Sequence, residues 1–147
     1  MRRSEELAGI GDVTCDLRII RVDDGTGVGE ASARCKSNDL EGIGKAIAGK
    51  LRDYMAIKGE PVAVLTLRNR SESAAGRVVT DEVAGKVANA LIADTWFDVK
   101  ERINLRGLIV ERDLETADIV NNPKVRPKLA KIKYVVIGGV TLKEESP

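Results

Sequence analysis

Apolar and polar residues alternate with a period of two at the head of the chain, in "VTCDLRIIRV" and again in "GEASARC". Strict alternation is the mark of a half-buried strand, and "DDGTG" between the two runs is a turn signal. The outgoing run carries Val13, Cys15, Leu17 and Ile19 on one face, and Thr14, Asp16, Arg18, Ile20 and Val22 on the other. The return run carries Ala31, Ala33 and Cys35 on one face, and Val28, Glu30, Ser32, Arg34 and Lys36 on the other. Folding about Gly25 sets Leu17 against Ala33, Ile19 against Ala31, Asp16 against Arg34, and Cys15 against Cys35. A slip by one residue would set apolar against polar at almost every rung.

The period then changes. In "NDLEGIGKAIAGKLRDYM", Leu40, Ile43, Ile47, Leu51 and Tyr54 recur at helical spacing, with Asn38 or Asp39 as the cap. Gly42, Gly44 and Gly49 lower its propensity, so packing has to hold it. "PVAVLTLR" is apolar on both faces, as a central strand covered on both sides would be. "NRSESAAG" reads as a polar loop, and "TDEVAGKVANALIAD" as a helix capped by Thr80, with Asp81 and Glu82 at its positive end and Val83, Val87 and Leu91 along its stripe. "WFDVKER" reads as a short strand. Helices are predicted over "INLRGLIVERDLE" and over "NNPKVRPKLAKI", the second with Asn122 as cap and Pro123 in the first position. "KYVVIGGVTL" closes the chain as a strand apolar on both faces, where Gly138 and Gly139 mark a bulge or a close backbone approach.

These elements predict an α/β (α+β) fold: a mixed sheet of about five strands with the longer helices packed on it. Strands alternating with helices imply parallel pairing through right-handed crossovers, and the opening hairpin adds an antiparallel part. The 147 residues read as one domain, a hairpin plus helix over 12–57 and then strand-helix-strand-helix-strand over 61–142.

Composition narrows the function classes. Hydrophobic content of 43% and charged content of 32% fit a folded globular chain. The net charge of +1 provides no strong field toward nucleic acid or an anionic membrane, and 3% aromatics leave few platforms for stacking bases. No apolar run has the length of a membrane span. "MRRSEELAG" is basic but has no apolar core, so it is not a complete signal peptide, and both a cytosolic protein and a chain lacking its leader remain open.

Candidate chemistry is sparse. There is no histidine, the commonest general acid or base, and no pair of carboxylates stands out, so no catalytic residue and no cofactor are expected. Cys15 and Cys35 cannot make a metal site by themselves. Two readings remain for them: core thiols on the apolar face, or a cross-strand disulfide in an oxidising compartment, which would add on the order of 2–4 kcal/mol. "GTGVGE" lies inside a hairpin rather than between strand and helix, which argues against a dinucleotide motif. "EGIGKA" lacks the residues of a phosphate loop. Lys124, Lys128 and Lys131 share one face of the predicted helix, either as a solvated surface or as a patch for an acidic partner. Trp96 and Phe97 would face opposite ways in a strand, one into the core and the other covered or presented to a partner. "NRS" at Asn69 matches a glycosylation acceptor, a common tripeptide that carries little weight.

From Pro61 onward, "PVAVLTLRNRS", "VANALIADTWFDVKERINLRGLIVERDL" and "AKIKYVVIGGVTL" resemble the curli secretion channel family and its relatives, the penicillin-binding-protein activator lipoproteins and the TolB N-terminal-like domain. The Trp96-Phe97 and Glu101-Arg102 pairs are the most specific pieces. "VTCDLRIIRVDDGTGVGEASARCKS" resembles the family hairpin too, but precedes the first strand where the family has it after the Gly-x-Val strand. The order resembles a circular permutation, a segment cut across two domains, or a hairpin exchanged with a neighbour.

The resemblance implies a non-enzymatic bacterial cell-envelope interaction or assembly domain, periplasmic, with protein partners or self-association. Trp96, Lys124, Lys128 and Lys131 would then be the candidate contact residues. Two other classes stay open: a small-ligand domain or carboxylate/lysine enzyme, and a rearranged or engineered scaffold without activity of its own.

Overall fold

The computed structural model describes residues 11–54 and 59–144. In chain order they form β1 (Gly11–Arg21), β2 (Gly27–Lys36), α1 (Ile43–Arg52), β3 (Pro61–Leu65), β4 (Arg68–Asn69), α2 (Ala74–Ala93), β5 (Asp98–Ile103) and β6 (Tyr134–Glu144). Between β5 and β6 the chain makes three short 3-10 turns, Glu111–Glu115, Ala117–Asn121 and Arg126–Leu129. The sheet runs β2-β1-β6-β3-β5, with β4 also paired to β6. β1 is antiparallel to β2 and β6, while β3 is parallel to β5 and β6. The fold is therefore α+β with a mixed sheet, as predicted. The cysteine-bearing ribbon and the closing strand share that sheet, with Gly11 opposite Glu144 and Arg21 opposite Tyr134.

The alternation in the strands sorts the core into two layers. One face of the sheet sends Val13, Cys15, Leu17, Ile19, Val136 and Val140 against Ile43, Ile47 and Leu51 of α1 and Val79, Val83, Val87 and Leu91 of α2. The opposite face sends Ile20, Ala63, Leu65, Val135 and Ile137 against Leu105, Leu114, Ile119, Val125, Leu129 and Ile132 of the irregular segment. β3 and β6 are covered on both sides, which is why their sequences show no polar alternation. No helix among the described residues is long and apolar enough to cross a membrane.

The hairpin register differs from the sequence expectation by two residues. Cys15 faces Ala33, Cys35 faces Val13, Leu17 faces Ala31, and Asp16 faces Ser32. A step of two keeps every side chain on its face, so alternation could not detect it. The turn decides it. The N–H of Gly25 donates to the carbonyl of Arg21 and that of Arg21 to the carbonyl of Thr26, with Gly25 at φ +71°, and the pairing skips a residue between Ile19 and Ile20. The two cysteines are thus diagonal rather than opposed, and both thiols are free here.

Four helix expectations also change. α1 starts at Ile43 after Gly42, with no side-chain cap, so Asn38 and Asp39 lie outside it. α2 starts six residues before Thr80: Ser73 caps it, its Oγ accepting from the N–H of Gly76 at 3.0 Å. Thr80 is buried inside the helix and donates to the Gly76 carbonyl at 2.7 Å. Residues 103–115 form no α-helix, because Gly107 turns at φ +82°. Nor do residues 121–132, where Pro123 and Pro127 remove donors and disfavour helical backbone before them. Asn122 keeps a turn role, its Oδ1 accepting from the N–H of Lys124 at 2.8 Å.

Candidate functional site

β4 runs beside β6 at Gly139 and Val140, and a polar cluster gathers around this short pairing. A Cβ on Gly139 would come within 2.6 Å of Arg70 Nε, so the arginine lies across the bare glycine backbone. From there its Nη1 donates to Asp16 Oδ2 at 2.6 Å and its Nε to Glu115 Oε1 at 2.9 Å; Nη2 also reaches Glu115. Arg68 Nη1 donates to the other oxygen of Glu115 at 3.3 Å, and Arg18 donates to the Glu115 carbonyl. Glu115 and then Asp16 hold the Arg70 guanidinium charged, raising its pKa against the opposing effect of burial.

A second set adjoins it. Burial alone would raise the pKa of Glu111, but the N–H of Asn69 at 3.1 Å and the Arg77 guanidinium outweigh it and hold the carboxyl below its ordinary value. Asn69 is buried, its amide donating to the Ser73 carbonyl and accepting from the N–H of Ser71. That placement closes the asparagine of the "NRS" tripeptide to a modifying enzyme in the folded state. Ser71 Oγ accepts from the N–H of Leu142 at 2.7 Å and donates to its carbonyl at 3.1 Å. These side chains fasten the β4 loop to the sheet on one side and to the first 3-10 turn on the other.

Beside the cluster, Asp16, Arg18, Glu30, Ser32, Tyr54 and Arg70 line an open cleft of about 580 Å³. Its floor is the uncovered half of the sheet, where β1 and β2 present their polar residues. The lining carries both charges, so it imposes no strong potential of one sign. Sequence reasoning missed this cluster because Asp16, Arg70 and Glu115 lie far apart in the chain. The only local signal was a polar "RNR" following a fully apolar strand.

The residues singled out from sequence are dispersed. Cys15 is buried under the helical layer and Cys35 is half-buried. Burial pushes the Cys15 thiol up to about 12 and raises that of Cys35 as well. Trp96 is half-buried against the helical-side core, ahead of β5 rather than in it, with its indole N–H unpartnered. Lys124, Lys128 and Lys131 are exposed on the opposite layer above Val125, Leu129 and Ile132. Without the expected helix they are not aligned along one helical face. Lys128 and Lys131 border a recess with Lys100 and Glu101, while Lys124 borders another with Leu108, Ile109 and Asp113. Among the described residues no group of three or more histidine, cysteine, aspartate or glutamate side chains is arranged to hold a metal ion.

The architecture defines an α+β mixed-sheet domain, helical on one face and clad by irregular chain on part of the other. The chain belongs to the family of the curli production assembly/transport component CsgG, whose model matches residues 51–146. No curated protein and no solved structure matches it. The matched region runs from the last turn of α1 through β6, so the ribbon and most of α1 lie outside it. A role related to curli-type secretion or assembly at the cell envelope follows from the family.

Proposed function

We propose that this chain is a non-enzymatic assembly domain of the bacterial cell envelope, acting by protein contacts on the periplasmic side. The observation that carries the reading is the family match over residues 51–146. Support comes from where the polar chemistry goes: Arg68, Arg70, Glu111 and Glu115 tie loops to the sheet. In this reading the ribbon, which lies outside the matched residues, takes the place of a strand that would follow β6. Because Gly11 faces Glu144, β1 occupies the position that a strand following β6 through a tight turn would take. Exposed Lys128 and Lys131 beside edge strand β5, with Lys124 further along the same layer and Trp96 across the sheet, are the contact residues in this reading.

The test is fractionation of cells producing the full natural protein, combined with photo-crosslinkers placed at Lys128 and at Trp96. Recovery with the envelope and a discrete protein adduct from either position are expected. Recovery wholly in the cytosol without adducts would overturn the proposal.

A further inference from the structure

β2 is an edge strand, and its outward side follows from the ladder. Ser37 donates to the Gly11 carbonyl and Arg21 to that of Thr26, which places the odd-numbered residues of β1 in bonding contact with β2. Through the pairs Val13–Cys35, Cys15–Ala33 and Leu17–Ala31, the backbone groups of Ala31, Ala33 and Cys35 point to β1. Those of Glu30, Ser32 and Arg34 point away from the sheet. One of them has a partner: the Ser32 carbonyl accepts from Lys50 Nζ of α1. The remainder has no partner among the described residues and forms an edge of the kind that natural sheets usually block with repulsive charge, proline or a bulge.

Here the charges do not repel a second copy. "EASAR", Glu30 to Arg34, is symmetric in size and antisymmetric in charge about Ser32. All three polar side chains are exposed, and neither Glu30 nor Arg34 forms a salt bridge with another described residue of its own chain. We propose that β2 pairs antiparallel with β2 of a second copy of this chain, about a two-fold axis through Ser32. In that register Glu30 faces Arg34 of the partner subunit, and Arg34 faces Glu30 of the partner subunit. Ser32 faces its own equivalent. The small Ala31 and Ala33 meet on the helical side. Glu30, Ser32 and Arg34 all direct their backbone groups outward, so the facing residues are also the hydrogen-bonded pairs. Lys50 releases one exposed hydrogen bond to let the ladder form. A shift of two in one direction leaves Glu30 and Arg34 facing uncharged residues. In the other, Arg34 faces serine and Glu30 faces Lys36 of the partner subunit, whose equivalent here is already paired with Asp12 at 2.7 Å. A shift of four opposes like charges, so charge favours the register through Ser32.

The experiment is sedimentation equilibrium of the native chain and of Arg34→Glu and Glu30→Arg, each checked for folding by circular dichroism. The native chain is expected to dimerise. Each single variant creates two like-charge pairs and should dimerise about tenfold more weakly or worse. An equimolar mixture of the two variants restores opposite charges at every pair and should associate as a heterodimer. In the native chain, the amides of Glu30, Ser32 and Arg34 should gain hydrogen-exchange protection as concentration rises; this readout stands even if a variant misfolds. A native chain that stays monomeric at high concentration, a dimer indifferent to both variants, or a mixture that does not associate would each overturn the proposal.

Discussion

Gly138 of β6 lies so close to Asp16 of β1 that a methyl group on it would sit 2.0 Å from the Asp16 carbonyl oxygen. The pairing of β1 and β6 continues through this point without a register shift, so the glycine is a place of close approach and not a bulge. Gly138→Ala has to push apart the two central strands. A loss of about 3 kcal/mol or more is expected, read as a lowered urea midpoint.

The helical layer contains a matched pair of glycines. A Cβ on Gly44 would meet the Lys86 carbonyl of α2 at 2.3 Å, whereas one on Gly49 meets nothing within 4 Å. Gly44→Ala should separate α1 from α2 and destabilise the domain. Gly49→Ala should stabilise it by about 1 kcal/mol through helix propensity alone. Thermal unfolding of the two variants side by side checks the opposite signs.

Arg70 joins Asp16 of β1 to Glu115 of the irregular segment, and its side chain remains 29% exposed. Such a pair lies between the weak surface class and the buried class. A double-mutant cycle on Arg70→Met and Glu115→Gln should show a coupling of about 1–2 kcal/mol that shrinks with added salt. Zero coupling would mean that the segment is held by Leu114 and its apolar neighbours alone.

Cys15 carries a pH signature. Burial disfavours its thiolate, so its pKa rises from 9.0 to about 12 on folding. Below the ordinary value both states hold the proton and nothing is lost. Above it the unfolded chain ionises first, and stability falls by about 1.4 kcal/mol per pH unit until the folded thiol ionises as well. Urea midpoints between about pH 8 and about pH 11 should fall more steeply for the native chain than for Cys15→Ala. In the native state a thiol reagent should modify Cys35 long before Cys15.

Much of the sheet was legible because its strands had only one way to satisfy two periods. "PVAVL" and "YVVIGGV" had to be central, since a strand apolar on both faces needs cover on both. The alternating ribbon had to leave one side polar. The two false helices had the apolar spacing of helices but contained Gly107 and the Pro123–Pro127 pair, and irregular chain can bury Leu114, Val125 and Leu129 equally well. Thr80 resembled a cap because "TDE" is a cap pattern, yet Ser73 stood upstream with the same chemistry and a free run of helix ahead of it.

The amino-acid order alone determined which side of each strand faces the core, since side-chain alternation is a local property of extended backbone. It also determined the mixed character of the sheet and the family kinship of the later two thirds. Only the tertiary structure decided the pairing of Cys15 with Ala33, because a two-residue slip is invisible to polarity and is settled by hydrogen bonds in one turn. Only the tertiary structure brought Asp16, Arg70 and Glu115 together, because charged groups distant in sequence meet according to how the backbone packs, and no local preference encodes that meeting.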